Sequence, residues 1–285
     1  MADHCEGCSG ENCEGCANAA QQMEEEMKKV REQADMIKNV IVVMSGKGGV
    51  GKSTVAVNLA VSLSLAGKDV GILDVDVHGP SVPKLLKIQD ADIKSDGEKI
   101  IPAEVGNLKV MSVGLVTADR DEAIIWRGPL KYNIIKQFIG DVRWGNLDYL
   151  IIDCPPGTGD EVLSVIQLLG TVRGAVVVTT PQDIATYDVR KSVSFCRKLN
   201  VEVLGVVENM SGFVCPHCGE VTEIFKSGGG EQMAKEMGVK FLGKIPLDPD
   251  IASSSDDGTP YVFRFTKAPT ATIIEEVFKP IRDLS

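Results

Sequence analysis

The chain has 285 residues, enough for one large α/β domain or two modest ones, and 44% hydrophobic with 25% charged residues is the composition of a water-soluble globular protein. A net charge of −10 works against a dedicated nucleic-acid binder and against adsorption on an anionic membrane face. No apolar run approaches the ~18 residues of a membrane span, and the polar, acidic, cysteine-bearing first residues are unlike a secretory leader, so the expected location is the cytoplasm.

Residues 1–20 read as a polar tail with too few apolar side chains for a core. From Gln21 to Lys38 the positions Met23, Met27, Val30, Ala34 and Ile37 recur at spacings of four and three, one face of a connecting helix. That face suits packing on the main domain, because two heptads are short for a coiled-coil seam. Residues 39–285 then alternate strands with helices. Val40–Met44 is a continuous apolar run ending in glycines, the mark of a buried parallel strand. Ser53–Ala66 reads as a helix, and Val70–Leu73 and Leu108–Val113 as strands, with a hairpin excursion across 90–107 turning at Asp96-Gly97. Further strands are expected at Tyr149–Ile152, Ala175–Val178, Val201–Val207 and Phe241–Ile245, with helices at Asp183–Leu199 and Gly230–Met237. The fold class is α/β, a doubly wound and mostly parallel sheet preceded by a cysteine-rich metal-binding tail.

Between the first strand and its helix, Gly46-Lys47-Gly48-Gly49-Val50-Gly51-Lys52-Ser53 fits the phosphate-loop pattern G-x-x-x-x-G-K-[ST]. Glycines let backbone N–H groups turn inward around phosphate oxygens, and the helix N-terminus adds its positive dipole. Lys52 neutralises the β- and γ-phosphates, Ser53 ligates Mg²⁺, and Thr54 continues the nucleotide contacts. Leu150-Ile151-Ile152-Asp153 is an apolar strand ending in a carboxylate suited to hold Mg²⁺ through water, and Pro155-Pro156-Gly157 follows it as a γ-phosphate sensor. Asp74-Val75-Asp76 supplies two more carboxylates after the second strand, with capping as the alternative reading of both, more so for Asp74.

Six of the eight cysteines fall in C-x-x-C pairs: Cys5/Cys8, Cys13/Cys16 and Cys215/Cys218. In an intracellular setting clustered cysteines point to metal. Iron and zinc sites need about four ligands, and the Cys215/Cys218 turn offers two. Two copies meeting at a two-fold axis supply four; a zinc shared with Cys5–Cys16 or an unligated redox pair remain open. The tail quartet can enclose one [4Fe–4S] cluster or one zinc by itself, or stay a free tail. Cys154 and Cys196 read as buried core thiols, and His217 as an exposed turn residue.

The K-G-G-V-G-K-S form of the loop resembles the deviant P-loop shared by the nitrogenase iron protein and the Min and Par ATPases. Asp76-Val77-His78-Gly79-Pro80-Ser81, Trp126-Arg127-Gly128-Pro129, Asp153-Cys154-Pro155-Pro156-Gly157-Thr158-Gly159-Asp160, Glu208-Asn209-Met210-Ser211, Cys215-Pro216-His217-Cys218 and Gly228-Gly229-Gly230 together resemble the Mrp/ApbC/Nbp35 family of iron–sulfur cluster carriers over roughly residues 39–270. The resemblance implies a nucleotide-sandwich homodimer in which Lys47 reaches the partner's nucleotide. It implies that Asp76 positions or activates the attacking water with Asp74 supporting it near the metal. It also implies that Asn209 reads the adenine edge, that Pro246-Leu247-Asp248 closes over the base, and that Cys215 and Cys218 of two subunits bridge a labile [4Fe–4S] cluster. ATP, Mg²⁺ and the cluster are the implied cofactors; apo iron–sulfur proteins, with a possible scaffold protein, are the implied partners. One branch of that family carries an N-terminal four-cysteine cluster, with wider spacing than Cys5–Cys16 has here. Two other readings, a positioning or partition ATPase without cargo and an electron-transfer ATPase, lack a reason for a close C-P-x-C pair. The tail Phe278–Ser285 also breaks its helix at Pro280 and balances its charge, against a membrane-binding basic helix.

Overall fold

Runs such as Val40–Met44 and Leu150–Ile152 are apolar on both faces of the strand, so they are stable only where helices cover the sheet from both sides. The computed structural model describes residues 14–116, 128–215 and 217–284. Cys5, Cys8 and Cys13 lie outside the described residues, and of Cys16 only the backbone is described.

In chain order the elements are α1 (Glu14–Asp35), β1 (Ile37–Ser45), α2 (Lys52–Leu65), β2 (Val70–Asp74), α3 (Val82–Leu85), β3 (Lys94–Ser95), β4 (Ile100–Ile101), β5 (Ala103–Val105), β6 (Leu108–Ser112), α4 (Gly128–Gly140) and β7 (Leu147–Asp153). They continue with α5 (Asp160–Leu169), β8 (Gly174–Thr179), α6 (Asp183–Lys198), β9 (Val203–Glu208), β10 (Phe213–Val214), β11 (Val221–Thr222), α7 (Gly229–Met237), β12 (Phe241–Lys244), α8 (Pro249–Asp256), α9 (Tyr261–Arg264) and α10 (Pro269–Arg282). Eight strands form one sheet in the order β12-β9-β8-β1-β7-β2-β6-β5. Within that sheet, among the described residues, only the edge strand β5 runs antiparallel to its neighbour.

Alternation along β1 divides the core. Ile41 and Val43 face a layer that includes α2, α9 and α10, while Val40, Val42 and Met44 face the layer of α1, α4, α5 and α6. Every central strand is parallel, so β1, β2, β7, β8 and β9 end on one edge. In open α/β sheets the carboxyl edge is where ligands bind.

Three expectations need correction. The connecting helix expected at 21–38 spans Glu14–Asp35, and Lys38 already lies in β1, which starts at Ile37. A single hairpin over 90–107 is instead a β3–β4 ribbon around Asp96-Gly97 followed by β5 pairing with β6, because the apolar side of Ala103–Val105 finds a free sheet edge. Finally, Pro280 sits inside α10 rather than breaking it. The buried residues Ile274, Val277, Phe278 and Ile281 hold that helix on the core, and tertiary packing outweighs the lost hydrogen bond near its end.

Helix α1 packs within the chain, as its spacing suggested. Val30 is buried, and a Cβ on Gly140 of α4 would come within 3.0 Å of its side chain; Lys136 of α4 pairs with Glu26. Among the described residues no helix is long and apolar enough to cross a membrane.

The apolar face of α10 is a load on stability that can be measured. Phe278→Ala should lower the unfolding free energy in urea by about 3–5 kcal/mol, the usual cost of emptying a buried phenylalanine site. A loss below about 1 kcal/mol would mean that the helix is not anchored through this side chain.

Candidate functional site: a nucleotide cleft and a cysteine turn

The loop after β1 is shaped by what surrounds its glycines. A Cβ on Gly46 would lie 2.5 Å from the backbone of Asp188 in α6, so only glycine lets the chain leave the strand there. Gly49 and Gly51 have φ of 81° and 80°, which L side chains rarely adopt. Gly51 caps α2 without a side-chain hydrogen bond, so the first amides of that helix remain free for an anion. The loop borders a cleft of about 320 Å³ lined by Lys47, Gly48, Gly49, Gly51, Lys52, Ser53, Thr54, Asp76 and Pro156, together with Ser45, Ser81 and Leu85. Val50 is buried behind it.

Two strand ends bring carboxylates to the floor of the site. The β2–β7 register sets Asp74 opposite Asp153. Both are fully buried. Lys52 donates to Asp153 Oδ1 at 2.5 Å and to Ser53 Oγ at 3.1 Å. Burial alone would lower the Lys52 pKa, but the charge and hydrogen bond of Asp153 outweigh it and leave the ammonium held above its usual range. Asp153 is pushed up by desolvation while Lys52 and Ser53 pull it down. Its Oδ2 is buried with no hydrogen-bond partner among the described residues. Asp74 accepts from Asp76 N at 3.0 Å, Ser112 Oγ at 3.0 Å and Val82 N at 3.2 Å, so it ties β2, β6 and the loop that enters α3.

Asp76, half-buried, accepts through Oδ1 from the amides of His78 and Gly79. Gly157 has φ of 90° and donates its amide to Ser45 O at 2.8 Å, which lays the loop after β7 against the phosphate loop. Lys47 makes no side-chain hydrogen bond or ion pair among the described residues, and its side chain borders the cleft. The set fits a hard divalent cation, since a hydroxyl and an unpartnered carboxylate oxygen are oxygen ligands.

Asn209 also reaches this site: its Nδ2 donates to Val50 O at 2.9 Å, and it borders a crevice with Thr54 and Ile245. Pro246 and Asp248 do not line the phosphate cleft. Asp248 caps α8 by accepting from Asp250 N at 2.9 Å, and its other oxygen accepts from Tyr261 Oη at 2.9 Å. Sequence reading passed over Ser112 and the pair Lys131–Glu161, in which Lys131 Nζ lies 2.6 Å from Glu161 Oε1 and 2.9 Å from His78 Nε2. No motif spacing marks those residues: Ser112 meets Asp74 across β6 and β2, and Lys131, Glu161 and His78 meet because α4, α5 and the loop after β2 converge.

The second candidate site is the turn between β10 and β11. Cys215 donates its amide to Glu220 O and accepts at its carbonyl from Gly219 N, each at 2.9 Å, closing a tight turn with Gly219 at φ 74°. The amides of His217 and Cys218, then the Cys218 thiol, hydrogen-bond the Cys215 sulfur and lower its pKa. Cys218 and His217 are exposed. By contrast, burial raises the thiol of Cys154 and pushes that of Cys196 up to about 11. Reactive sulfur is therefore confined to the turn, among the described cysteine side chains.

A glycine loop with a free helix N-terminus, an invading lysine and two carboxylates at parallel strand ends define a P-loop nucleoside triphosphatase. A match of the family described as NUBPL iron-transfer P-loop NTPase, of the ParA type, covers residues 36–282, and the chain belongs to that family. It is 46% identical over 264 residues to the cytosolic Fe-S cluster assembly factor NUBP2 of Gallus gallus, covering 91% of this chain and 97% of that one. It is 50% identical over 241 residues to the iron-sulfur cluster carrier protein of Methanocaldococcus jannaschii, with 84% and 83% covered. The nucleotide-binding protein of Archaeoglobus fulgidus in complex with ADP superposes with a TM-score of 0.72 at 40% identity, covering 81% of this chain and 91% of that one.

The buried carboxylates make a pH prediction. Asp74 is pushed from its ordinary 3.8 up to about 8, by desolvation first and the Asp153 charge second. Between those values the folded chain holds a proton that the unfolded chain releases. Its stabilising contribution is thus full below about pH 4 and lost as pH rises through about 8. In metal- and nucleotide-free protein, Tm should fall between about pH 5 and about pH 8 in the wild type and fall less in Asp74→Asn. Parallel profiles would remove Asp74 as the source.

Proposed function

We propose that this chain is a MgATP-hydrolysing carrier that holds iron–sulfur clusters and hands them to apo-proteins, working in the cytosol as a homodimer. The observation that carries the reading is the pairing of two features in one chain. One is a P-loop cleft with Asp153 and Asp76; the other is an exposed Cys215/Cys218 turn whose amides favour thiolate. Relatives 46–50% identical are named as assembly factor or carrier for such clusters, which supports it.

Before nucleotide arrives, Lys52 rests on Asp153. Phosphate offers Lys52 a second anionic partner, which would free Asp153; Asp153 and Ser53 are the residues that would hold Mg²⁺, and the ion would supply charge neutralisation. Asp76 accepts the proton of the attacking water or orients it, using the oxygen that the His78 and Gly79 amides leave free. Asn209 contacts the base. Lys47, unpaired within its own chain among the described residues, crosses the dimer to the partner's phosphates.

Two thiolates cannot close a four-iron site, so Cys215 and Cys218 of both subunits share one cluster. Cys5, Cys8, Cys13 and Cys16 supply a second, self-contained site in each chain. A positioning ATPase of similar fold has no use for an exposed thiolate turn, which is why cargo transport is preferred.

Lys52 and Asp76 should fail differently. Lys52→Ala should abolish both ATP binding and turnover, whereas Asp76→Asn should keep ATP affinity and lose at least ~10²-fold in kcat. Equal loss of affinity in the two variants would contradict these roles.

Iron content separates the two cysteine sites. After anaerobic reconstitution, Cys215→Ser with Cys218→Ser should remove about four irons per dimer and end transfer to an apo-protein. Deleting residues 1–20 should remove about eight and leave the bridged cluster. If the double serine variant keeps its iron and still transfers, the cargo site is elsewhere.

A further inference from the structure

One buried carboxylate holds the base of the cysteine excursion, and the residue that follows it touches the phosphate loop. Glu208, the last residue of β9, is fully buried. Its Oε1 accepts from Ser211 Oγ at 2.5 Å and from Gly228 N at 2.8 Å, and its Oε2 accepts from Gly230 N at 2.5 Å. Ser211 is where the chain leaves the sheet for the β10–β11 ribbon, and Gly228 to Gly230 is where it returns into α7. One side chain thus clamps both ends of the excursion that carries Cys215 and Cys218. Ser211 Oγ also lies 3.2 Å from Ser227 Oγ, across the same neck.

Beyond the neck, the half-buried Phe213 bridges Leu247, while Val214 and Val221 are 49% and 63% exposed, so the outer part of the ribbon is held mainly through its base. The neck itself is tied to the sheet by backbone hydrogen bonds. Asn209 N donates to Thr179 O at 2.8 Å, Ser211 N to Ile245 O at 2.9 Å, and Leu247 N to Gly212 O at 2.7 Å. Met210 and Gly212 both sit at positive φ, 57° and 75°. For Met210 that conformation persists only because its neighbours over-determine it.

Next to the clamp, Asn209 grips the phosphate loop. Its Nδ2 bonds Val50 O, and a Cβ on Gly51 would come within 2.3 Å of the same nitrogen. Any nucleotide that shifts the loop or takes the Asn209 amide therefore acts on the residue adjoining Glu208.

We infer that residues 208–212, clamped by Glu208, are the link through which nucleotide in the P-loop cleft sets the position and exposure of the Cys215/Cys218 turn. The carrier reading enters only in what the turn carries; the link itself concerns two sites of one chain.

The test therefore uses cluster-free, full-length protein and reads thiol chemistry. Alkylation of Cys215 and Cys218 is followed by site-resolved mass spectrometry with and without ADP. In the wild type ADP should change their rates by about fivefold or more, the low end of ordinary site-to-site coupling. Ser211→Ala and Glu208→Gln should cut that effect to below about twofold while ADP Kd stays within about threefold. A merely structural role would slow or speed alkylation equally with and without ADP. Ser211→Ala removes one hydroxyl, so it decides the matter if Glu208→Gln does not fold. An undiminished ADP effect in the variants, or none in the wild type, overturns the link. Nucleotide-dependent thiol rates in a chain that takes up no iron would support the link and sink the carrier reading instead.

Discussion

The buried ion pair between Lys52 and Asp153 is the contact around which the nucleotide site is arranged. It joins the first residue of α2 to the last residue of β7 at 2.5 Å, in a place where both side chains are nearly free of water. Burying two charges is expensive, and such a pair rarely repays its desolvation with net stability. Here the pair has another use: it keeps Lys52 charged and aimed at the cleft, and it leaves Asp153 Oδ2 without a partner among the described residues. A polyanion with its cation can then replace each half of the pair by a better partner. Asp74, beside Asp153 in register, holds its proton first because it is cut off from water and then because the Asp153 charge opposes a second one there.

Both sites on this edge are shaped by backbone amides. In the phosphate loop, glycines at positive φ and an uncapped helix start leave N–H groups for phosphate oxygens. In the C-x-x-C turn, the backbone of His217 and of Cys218 holds the Cys215 thiol below its usual range, toward thiolate. Neither device needs a basic surface, which reconciles anion chemistry with a net charge of −10. The clamp at Glu208 uses the same donors in reverse, a carboxylate fixed by two backbone amides and a hydroxyl.

Rigid geometry at these points depends on the cover the sheet receives. Helices α1, α4 and α5 shield β7 and the Asp153 end of the site, while α2 and α10 press on the other face. Water kept away from Asp74 and Asp153 is what shifts them, so the helices contribute to the chemistry as a low-dielectric wall. Cys154 shows the same wall from the other side, as a thiol held protonated by burial one residue beyond Asp153.

Local features were legible from the residues alone. The glycine spacing of 46–53, the apolar strand running into Asp153 and the C-x-x-C at 215–218 each act within a few residues, and the alternation of Val- and Ile-rich runs with helical periods announced a covered parallel sheet. Cys154, Cys196 and His217 also lie where their neighbours suggested, two in the core and one on the surface. What had no trace in the sequence depends on residues far apart along the chain. Lys52 and Asp153 are 101 positions apart, and Asp74 meets Ser112 across β2 and β6. Glu208 reaches Gly230 across the whole cysteine excursion. The start of α1 and the survival of Pro280 inside α10 follow from packing that propensity does not encode. Short-range chemistry is written in spacing; desolvation and register exist only once the sheet has closed over its carboxylates, and those decide which of them keeps its proton.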